Sequence, residues 1–237
     1  IMERRRAGGA AHRKLKEELA MTPANAATTI DMVSDFICPW CYIGMRNLDA
    51  ALTAGQPVAW RWHPYFLNPG MPKGADRNAY MIAKFGSVER ARELGKNVEA
   101  AAADAGLALD LSKVKHLPNT ADAHRLMRWA AGAGVADAVA RALFVAHFEA
   151  GDDISDADVL VAIAEGAGMD GAQVRDLLAG DADRVLIEDQ AERARDSGIT
   201  GVPSFVLNGK LLVVGAQPPA ALASALEQSA QLATQNP

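Results

Sequence analysis

The sequence contains little cysteine, no long hydrophobic run and no excess of positive charge. Its 237 residues include 2 cysteines, too few for the disulfide scaffold of a small secreted protein, and a chain of this length can bury a core without one. No segment approaches the roughly 18 consecutive apolar residues of a membrane-spanning helix. The 24 Lys and Arg residues are outnumbered by 29 Asp and Glu residues, which argues against nucleic acid or an anionic membrane surface as a partner.

Residues 1–28 are predicted to be an N-terminal extension outside the fold, either flexible or not native to the protein. They begin with Ile1 rather than Met, carry basic residues at positions 4–6 and lack the apolar centre of a secretory signal. Met21 could serve as the native start. The expected localisation is therefore cytoplasmic, in a compartment that keeps thiols reduced.

The residues after this extension predict a strand, a helix and a second strand. Residues 30–36 form a short β-prone run, and residues 41–54 place apolar side chains at helical spacing until Gly55. Residues 58–63 then alternate between apolar and polar side chains, as a strand does. The predicted order at this end of the chain is β-α-β.

Residues 78–197 are predicted to be helical, because Ala-rich segments place apolar residues at every third or fourth position. Two helix starts are indicated by capping signals, Ser155 with Asp158 and Asp170 with Gln173.

The last part of the chain returns to strands. Residues 204–207 and 211–214 predict two strands joined by the hairpin signal Asn208-Gly209, and a final helix begins at residues 218–219. The predicted fold class is α/β, with the order βαβ, a long helical block, then ββα.

Both cysteines fall at the predicted N-terminus of the first helix, in the sequence Cys38-Pro39-Trp40-Cys41. A C-x-x-C motif beside a β-α-β pattern is typical of a thiol–disulfide redox pair. The N–H groups and the dipole at a helix N-terminus would stabilise a thiolate on Cys38, and Cys41, one turn deeper, could release the product from a mixed disulfide. Cys38 and Cys41 are therefore the predicted catalytic residues, with Pro39 and Trp40 shaping the active-site loop.

Two other interpretations of the cysteines stay open at this point. They could be incidental thiols on a redox-inactive scaffold, or half of a zinc site. Structural zinc normally takes four Cys or His ligands, and His63, His116 and His124 lie far from the motif in the sequence. No metal ligand is assigned on this basis.

Four segments of the chain, taken in order, resemble the DsbA-like branch of the thioredoxin superfamily and, within it, the FrnE-like subgroup of thiol–disulfide oxidoreductases. The resemblance covers about residues 29–232. It implies a thioredoxin fold with a large all-helical insertion. The matching segments are 35–44, 66–72, 119–126 and 198–203. The implied domains are 29–77 with 198–233 for the thioredoxin fold, and 78–197 for the insertion.

The resemblance also implies an active-site loop and a substrate groove. Pro203 would be preceded by a cis peptide bond and lie opposite the cysteines, so that the backbone of Val202 meets an extended substrate. Asn119, Thr120 and His124 could line a groove over the cysteines. The alternative for His124 is a histidine that only stabilises a helix beginning near Thr120.

The implied activity is that of a protein disulfide oxidoreductase or isomerase, acting on a disulfide- or thiol-containing protein or small molecule. No bound cofactor is expected, and glutathione could be a thiol co-substrate. Both a monomer and a homodimer stay open. Two further functions are kept as alternatives: a non-enzymatic thiol metal carrier, and a glutathione-dependent isomerase resembling 2-hydroxychromene-2-carboxylate isomerases, which generally carry Ser in place of the Cys pair.

Three other side chains near the motif or on the second strand have two interpretations each. Asp35 could accept a proton from Cys41 or be the polar end of a strand, and the second is favoured. Trp60 and Trp62 share one strand face, which is more typical of core packing than of a ligand platform.

Overall fold

The computed structural model describes residues 28–52, 57–72 and 75–235. These residues form two compact units that alternate along the chain. A sheet unit contains the described parts of 28–35, 44–65 and 185–235, and a helical unit contains those of 36–43 and 66–184. Apart from residue 28, the predicted N-terminal extension lies outside the described residues.

The described residues of the sheet unit form one mixed sheet. Its strands are β1 (Thr28–Ser34), β2 (Val58–Pro64), β3 (Ser204–Leu207) and β4 (Leu211–Val214), in the order β2-β1-β3-β4. β1 pairs in parallel with β2 and antiparallel with β3, and β3 pairs antiparallel with β4. A parallel β-α-β half is thus joined to an antiparallel hairpin, which is the strand arrangement of a thioredoxin fold.

The helices of the two units follow one another along the chain, and α1 starts in the helical unit and continues in the sheet unit. A five-residue π-helix, π1 (Ala146–Ala150), directly follows α5. None of the described helices is both long and apolar enough to cross a membrane. The helices are α1 (Pro39–Ala51), α2 (Arg77–Phe85), α3 (Val88–Asp104), α4 (Ala121–Gly132), α5 (Ala136–Val145), α6 (Ala157–Gly166), α7 (Gly171–Ala179), α8 (Arg184–Asp196) and α9 (Pro219–Gln235).

β1, one of the two inner strands of the sheet, is buried along its whole length. The β3–β4 turn is made by Asn208 and Gly209, which both have a positive φ, as an Asn-Gly hairpin turn requires. The Asn208 amide group donates to the Ser229 hydroxyl of α9 at 2.9 Å, and its Oδ1 accepts from the Thr29 N–H at 2.9 Å. One turn residue therefore connects the hairpin to both β1 and α9.

The helical unit has its own apolar core. Leu126 of α4, Leu143 and Phe144 of α5 and Leu160 of α6 have no exposed surface. Because each of these helices buries one apolar stripe, they pack against one another through side chains spaced three or four residues apart.

The predicted α/β class and the order of elements are confirmed. β1 begins and ends two residues earlier than expected, and residues 35–38, with a turn at 36–37, connect it to α1. The compact units have other bounds than the predicted domains: residues 36–43 group with the helical unit and residues 185–197 with the sheet unit. The domain division stays a prediction, because compactness alone does not define a cooperative folding unit.

One of the two predicted helix starts is confirmed and the other is wrong. Asp170 caps α7 by accepting a backbone N–H at 3.1 Å. For α6 the cap is Asp156, which accepts from the Asp158 N–H at 2.8 Å, whereas the Ser155 hydroxyl donates to Asp153 at 2.6 Å. Ser155 belongs to the turn before the helix, where Ser and Asp side chains compete for the same backbone groups.

Candidate active site

Cys38 and Cys41 lie at the start of α1. The carbonyl oxygen of Cys38 accepts from the N–H groups of Cys41 at 3.0 Å and Tyr42 at 3.4 Å, which makes Cys38 the residue that opens the helix. Both cysteines are thiols rather than a disulfide. Cys38 keeps 5% of its surface exposed and Cys41 none, so Cys38 is the sulfur that a substrate can approach.

The first turn of α1 is suited to a negative charge on the residue before it. The N–H groups and the dipole of a helix present a positive end there, and α1 has no acidic residue in its first turn to offset it. Pro39 occupies the first helical position, where a missing N–H leaves no partner unsatisfied. Trp40 is 40% exposed and adds apolar surface beside the cysteines without adding charge.

The chain just before Cys38 is anchored by aromatic packing within the helical unit. The Phe36 ring lies 5.0 Å from the rings of both His124 and Phe144, and Phe66 meets His124 edge to face at 5.3 Å. Sequence analysis assigned Phe36 to the end of a strand and gave it no role. Its burial, at 1% exposed, now fixes the backbone two residues ahead of Cys38.

The residue just after Cys41 is anchored in the same unit. The Tyr42 ring stacks on Phe144, with centroids 5.3 Å apart, and on Phe148, 6.2 Å apart. Its hydroxyl donates to Glu149 Oε1 at 2.7 Å. Neither Tyr42 nor Glu149 was singled out from the sequence, because a hydrogen bond across more than 100 positions has no local signal.

The three predicted groove residues lie at the N-terminus of α4. Asn119 Nδ2 donates to the carbonyl of Met71 at 2.8 Å, and its Oδ1 accepts from the Ala121 N–H at 3.0 Å. Thr120 and His124 are buried, at 4% and 3% exposed. The helix start near Thr120 is confirmed, while the role of Asn119, Thr120 and His124 in a substrate groove stays a prediction.

The peptide bond between Val202 and Pro203 is cis, as the resemblance implies. Pro203 is buried and Val202 is half-buried. The Pro203 carbonyl accepts from the Gly215 N–H at 2.8 Å, and the Ser204 hydroxyl donates to the Gly201 carbonyl at 2.9 Å. These residues belong to the sheet unit and the two cysteines to the helical unit, so the placement of Pro203 opposite the cysteines stays a prediction.

The sheet unit also holds a buried ionic cluster that sequence analysis missed. Asp31 of β1 has no exposed surface; it accepts a hydrogen bond from Arg61 of β2 and lies 2.8 Å from Nε2 of His63. The strand register places Asp31 directly opposite Arg61. The sequence did contain a signal for this cluster: Asp31 is an acidic residue flanked by apolar residues in a predicted strand, and Arg61 and His63 lie two positions apart on the next strand.

Asp35 is fully buried in the turn after β1, and both of its predicted roles stay open. Trp60 and Trp62 stack with centroids 5.5 Å apart, which confirms that they share one face of β2. Both rings are half-buried, which fits packing on the sheet better than an exposed platform.

The mixed sheet, the C-x-x-C motif opening α1 and the cis-proline before β3 are the features of a thioredoxin-type domain. The chain belongs to the DSBA-like thioredoxin domain family, whose match covers residues 29–227, from β1 into α9.

Solved structures agree with this family. A probable DsbA oxidoreductase from Streptomyces coelicolor is 33% identical over 85% of this chain and 89% of its own, with a TM-score of 0.77. The cytosolic disulfide reductase DsbM from Pseudomonas aeruginosa, determined with GSH, is 22% identical over 87% and 98%, with a TM-score of 0.58. A 2-hydroxychromene-2-carboxylate isomerase is 18% identical over 87% and 98%, with a TM-score of 0.65. The last two likenesses show the fold alone.

Proposed function

We propose that this protein is a cytoplasmic thiol–disulfide oxidoreductase of the FrnE-like type, which exchanges disulfides of proteins or small molecules through Cys38 and Cys41. The observation that carries the proposal is the position of the pair on α1. Cys38, at the positive end of the helix, keeps 5% of its surface exposed, and Cys41, within the first turn, keeps none. That arrangement separates an attacking thiolate from a resolving thiol.

In the reducing direction, the Cys38 thiolate attacks one sulfur of a substrate disulfide. A bond forms between Cys38 Sγ and that sulfur, the substrate S–S bond breaks, and the other substrate sulfur leaves as a thiolate. Cys41 then attacks Cys38 Sγ, which forms the Cys38–Cys41 disulfide and releases the second substrate thiolate. Two electrons pass from the cysteine pair to the substrate; the proton of the Cys41 thiol and one from solvent convert the two substrate thiolates to thiols.

The oxidised pair returns to the dithiol by exchange with two molecules of a small thiol, which leave as its disulfide. Glutathione belongs to the class of thiol that suits this step in a reducing cytosol. The same sequence run backwards oxidises a substrate dithiol. The exchange needs no bound cofactor, because both electrons are stored in the sulfur bond.

Substrate binding is assigned to the residues that the family resemblance implies. The half-buried Val202 backbone would pair with an extended substrate segment, next to the cis Pro203. Asn119, Thr120 and His124 are the proposed groove residues of the helical unit. These side chains are ordered within the helical unit by their own contacts, so substrate would meet a preformed surface.

The dithiol explains the site better than the two alternative functions. An isomerase that uses glutathione as its nucleophile has no need of a resolving thiol such as Cys41. A structural zinc site would need further ligands, and the described residues contain no group of three or more Cys, His, Asp or Glu side chains suited to hold a metal.

Substitution of each cysteine tests the proposal in the full chain. Cys38→Ala should abolish thiol-dependent reduction of a chromogenic disulfide, because the attacking sulfur is gone. Cys41→Ala should keep the first attack and accumulate mixed disulfides, which mass spectrometry detects as adducts on Cys38. Near-UV circular dichroism of both variants checks that they are folded.

Three outcomes would contradict the proposal. Full activity in both variants would remove the cysteines from the mechanism. Isomerisation of 2-hydroxychromene-2-carboxylate by Cys38→Ser protein would favour the isomerase. Stoichiometric metal in the purified protein, lost on Cys38→Ala, would favour the carrier, whereas a loss of two mass units on mild oxidation supports the redox pair.

A further inference from the structure

Tyr42, the residue that follows Cys41, is held by two kinds of contact in the helical unit. Its ring lies nearly parallel to Phe144 and Phe148, with interplanar angles of 9° and 13°. Stacked rings resist tilting but allow sliding within the plane. The 2.7 Å hydrogen bond from the hydroxyl to Glu149 Oε1 removes that freedom, since a bond to a carboxylate is shorter and stronger than one to a neutral acceptor.

The π-helix π1 carries two of these contacts. Phe148 and Glu149 are consecutive residues of π1, and both contact Tyr42. Single π turns inside helical segments are rare and occur frequently at functional sites.

Residues 110–113 hold π1 in its irregular shape. The Phe148 carbonyl accepts from the Asp110 N–H at 3.0 Å, and the Glu149 carbonyl accepts from Lys113 Nζ at 2.8 Å. Gly151 ends the turn with a φ of 83°, and a Cβ there would lie 2.6 Å from the Lys113 carbonyl oxygen. Several independent contacts therefore maintain the turn that carries Glu149, the carboxylate bonded to Tyr42 of α1.

We propose that Glu149 is a positioning residue of the redox site: through Tyr42 it holds the first turn of α1 and thereby sets the reduction potential of the Cys38–Cys41 pair. The inference rests on the proposed function. A well-positioned first turn aims its N–H groups at the Cys38 thiolate and stabilises the reduced form. Loss of the Tyr42–Glu149 bond loosens that turn, so the disulfide form becomes more favoured.

The charge of Glu149 would act in the opposite direction. A carboxylate near a thiolate destabilises it, so removal of the charge alone would favour the reduced form. For Glu149→Ala, the positioning effect therefore predicts a lower reduction potential and the charge effect a higher one. For Glu149→Gln, whose amide oxygen can still accept from Tyr42, positioning predicts no change and charge again predicts a higher potential.

The experiment measures the equilibrium constant for oxidation of the full-length protein by glutathione disulfide. Tyr42→Phe and Glu149→Ala should each raise this equilibrium constant about threefold. At about 30 mV per tenfold change, a threefold rise corresponds to a fall of about 14 mV in the reduction potential of the cysteine pair. Glu149→Gln should leave it unchanged. The matched control is Tyr80→Phe, which removes another tyrosine hydroxyl of the helical unit, one that donates to Asn68 and accepts from Lys84, and should also leave the constant unchanged.

Three results would overturn the inference while the proposed function stands. If the oxidation constant were unchanged in Tyr42→Phe and Glu149→Ala, the Tyr42–Glu149 hydrogen bond would have a structural role and no effect on the reduction potential. A fall in the constant in both Glu149→Ala and Glu149→Gln would mean that charge acts and position does not. An equal shift in Tyr80→Phe would mean a general response to loosening of the unit. If the wild-type pair forms no disulfide at all, the proposed function fails, and this inference fails with it.

Discussion

Gly44 lies where α1 passes closest to the residues around β3. A Cβ built on Gly44 would lie 3.0 Å from Pro203 Cγ, 3.2 Å from Phe205 Cζ and 3.4 Å from Ala216 Cα. Two of these atoms belong to a proline ring and to the backbone, which cannot rotate away. The absence of a side chain at position 44 therefore permits the close packing of the redox helix in the sheet unit.

Gly44→Ala should destabilise the protein by about 1 kcal/mol. Replacing a helical glycine by alanine favours folding by up to about 1 kcal/mol, but forcing a methyl group into a filled space costs about 1–3 kcal/mol, and the second effect wins here. Urea unfolding of the full chain measures the difference. Gly132→Ala is the control, since nothing lies within 4 Å of a Cβ at that position in α4; equal or greater stability of both variants would contradict the prediction.

At the scale of the elements, one buried arginine joins α4 to the end of α7. Arg125 has no exposed surface. Its Nε donates to the Ala182 carbonyl at 2.6 Å and its Nη2 to the Gly180 carbonyl at 2.7 Å and to Leu177, while Nη1 pairs with Asp122 at 2.8 Å. These carbonyls belong to the end of α7 and to the turn after it. The last carbonyls of a helix receive no hydrogen bond from the helix's own N–H groups, so they need another donor.

Arg125→Met should destabilise the helical unit by about 3–5 kcal/mol. The apolar side chain fills much of the space but leaves three carbonyls without their Arg125 donor and removes one of the two arginines that pair with Asp122, and breaking a buried charged network costs that much. The control is Arg128→Met on the same helix, whose partner Asp183 is a surface contact worth less than about 1 kcal/mol. Chemical unfolding that gave both variants the same stability would refute the special role of Arg125.

The elements that sequence predicted well are those with local causes. The β3–β4 hairpin follows from the φ values that Asn208 and Gly209 can adopt, and the start of α1 follows from Pro39 and the apolar spacing after it. The cysteine pair and the cis bond before Pro203 came from a motif and a family resemblance. All of these are encoded within a few residues of where they act.

The features that sequence did not predict depend on distant partners. π1 lies in a segment that reads as continuous helix, and its irregular turn is held by Asp110 and Lys113, far away in the chain. Arg125 reads as an ordinary surface arginine on an amphipathic helix. Glu149 meets Tyr42 across 107 positions of the chain, so this contact could not be found from local patterns.

At the scale of the whole molecule, the chain alternates between the two units, and the redox motif belongs to the helical one. Phe36 and Tyr42, on either side of the cysteines, are both buried in that unit's aromatic core. In the sheet unit, Phe205 of β3 is a fully buried core residue, as Phe36 is in the core of the helical unit. The stability of the motif should therefore follow the helical unit, although β1 is its nearest neighbour in sequence.

Hydrogen exchange of two matched variants tests this organisation. Phe36→Ala and Phe205→Ala each remove one buried ring, at a cost of about 3–5 kcal/mol, and amides exchange through the unit that the substitution destabilises. Phe36→Ala should speed exchange mainly in α4 and α5, even though residue 36 lies two positions from the end of β1. Phe205→Ala should speed it mainly in β1 and β3. If both variants accelerated the same amides to the same extent, the chain would unfold as one cooperative body, and the motif would owe its stability equally to both units.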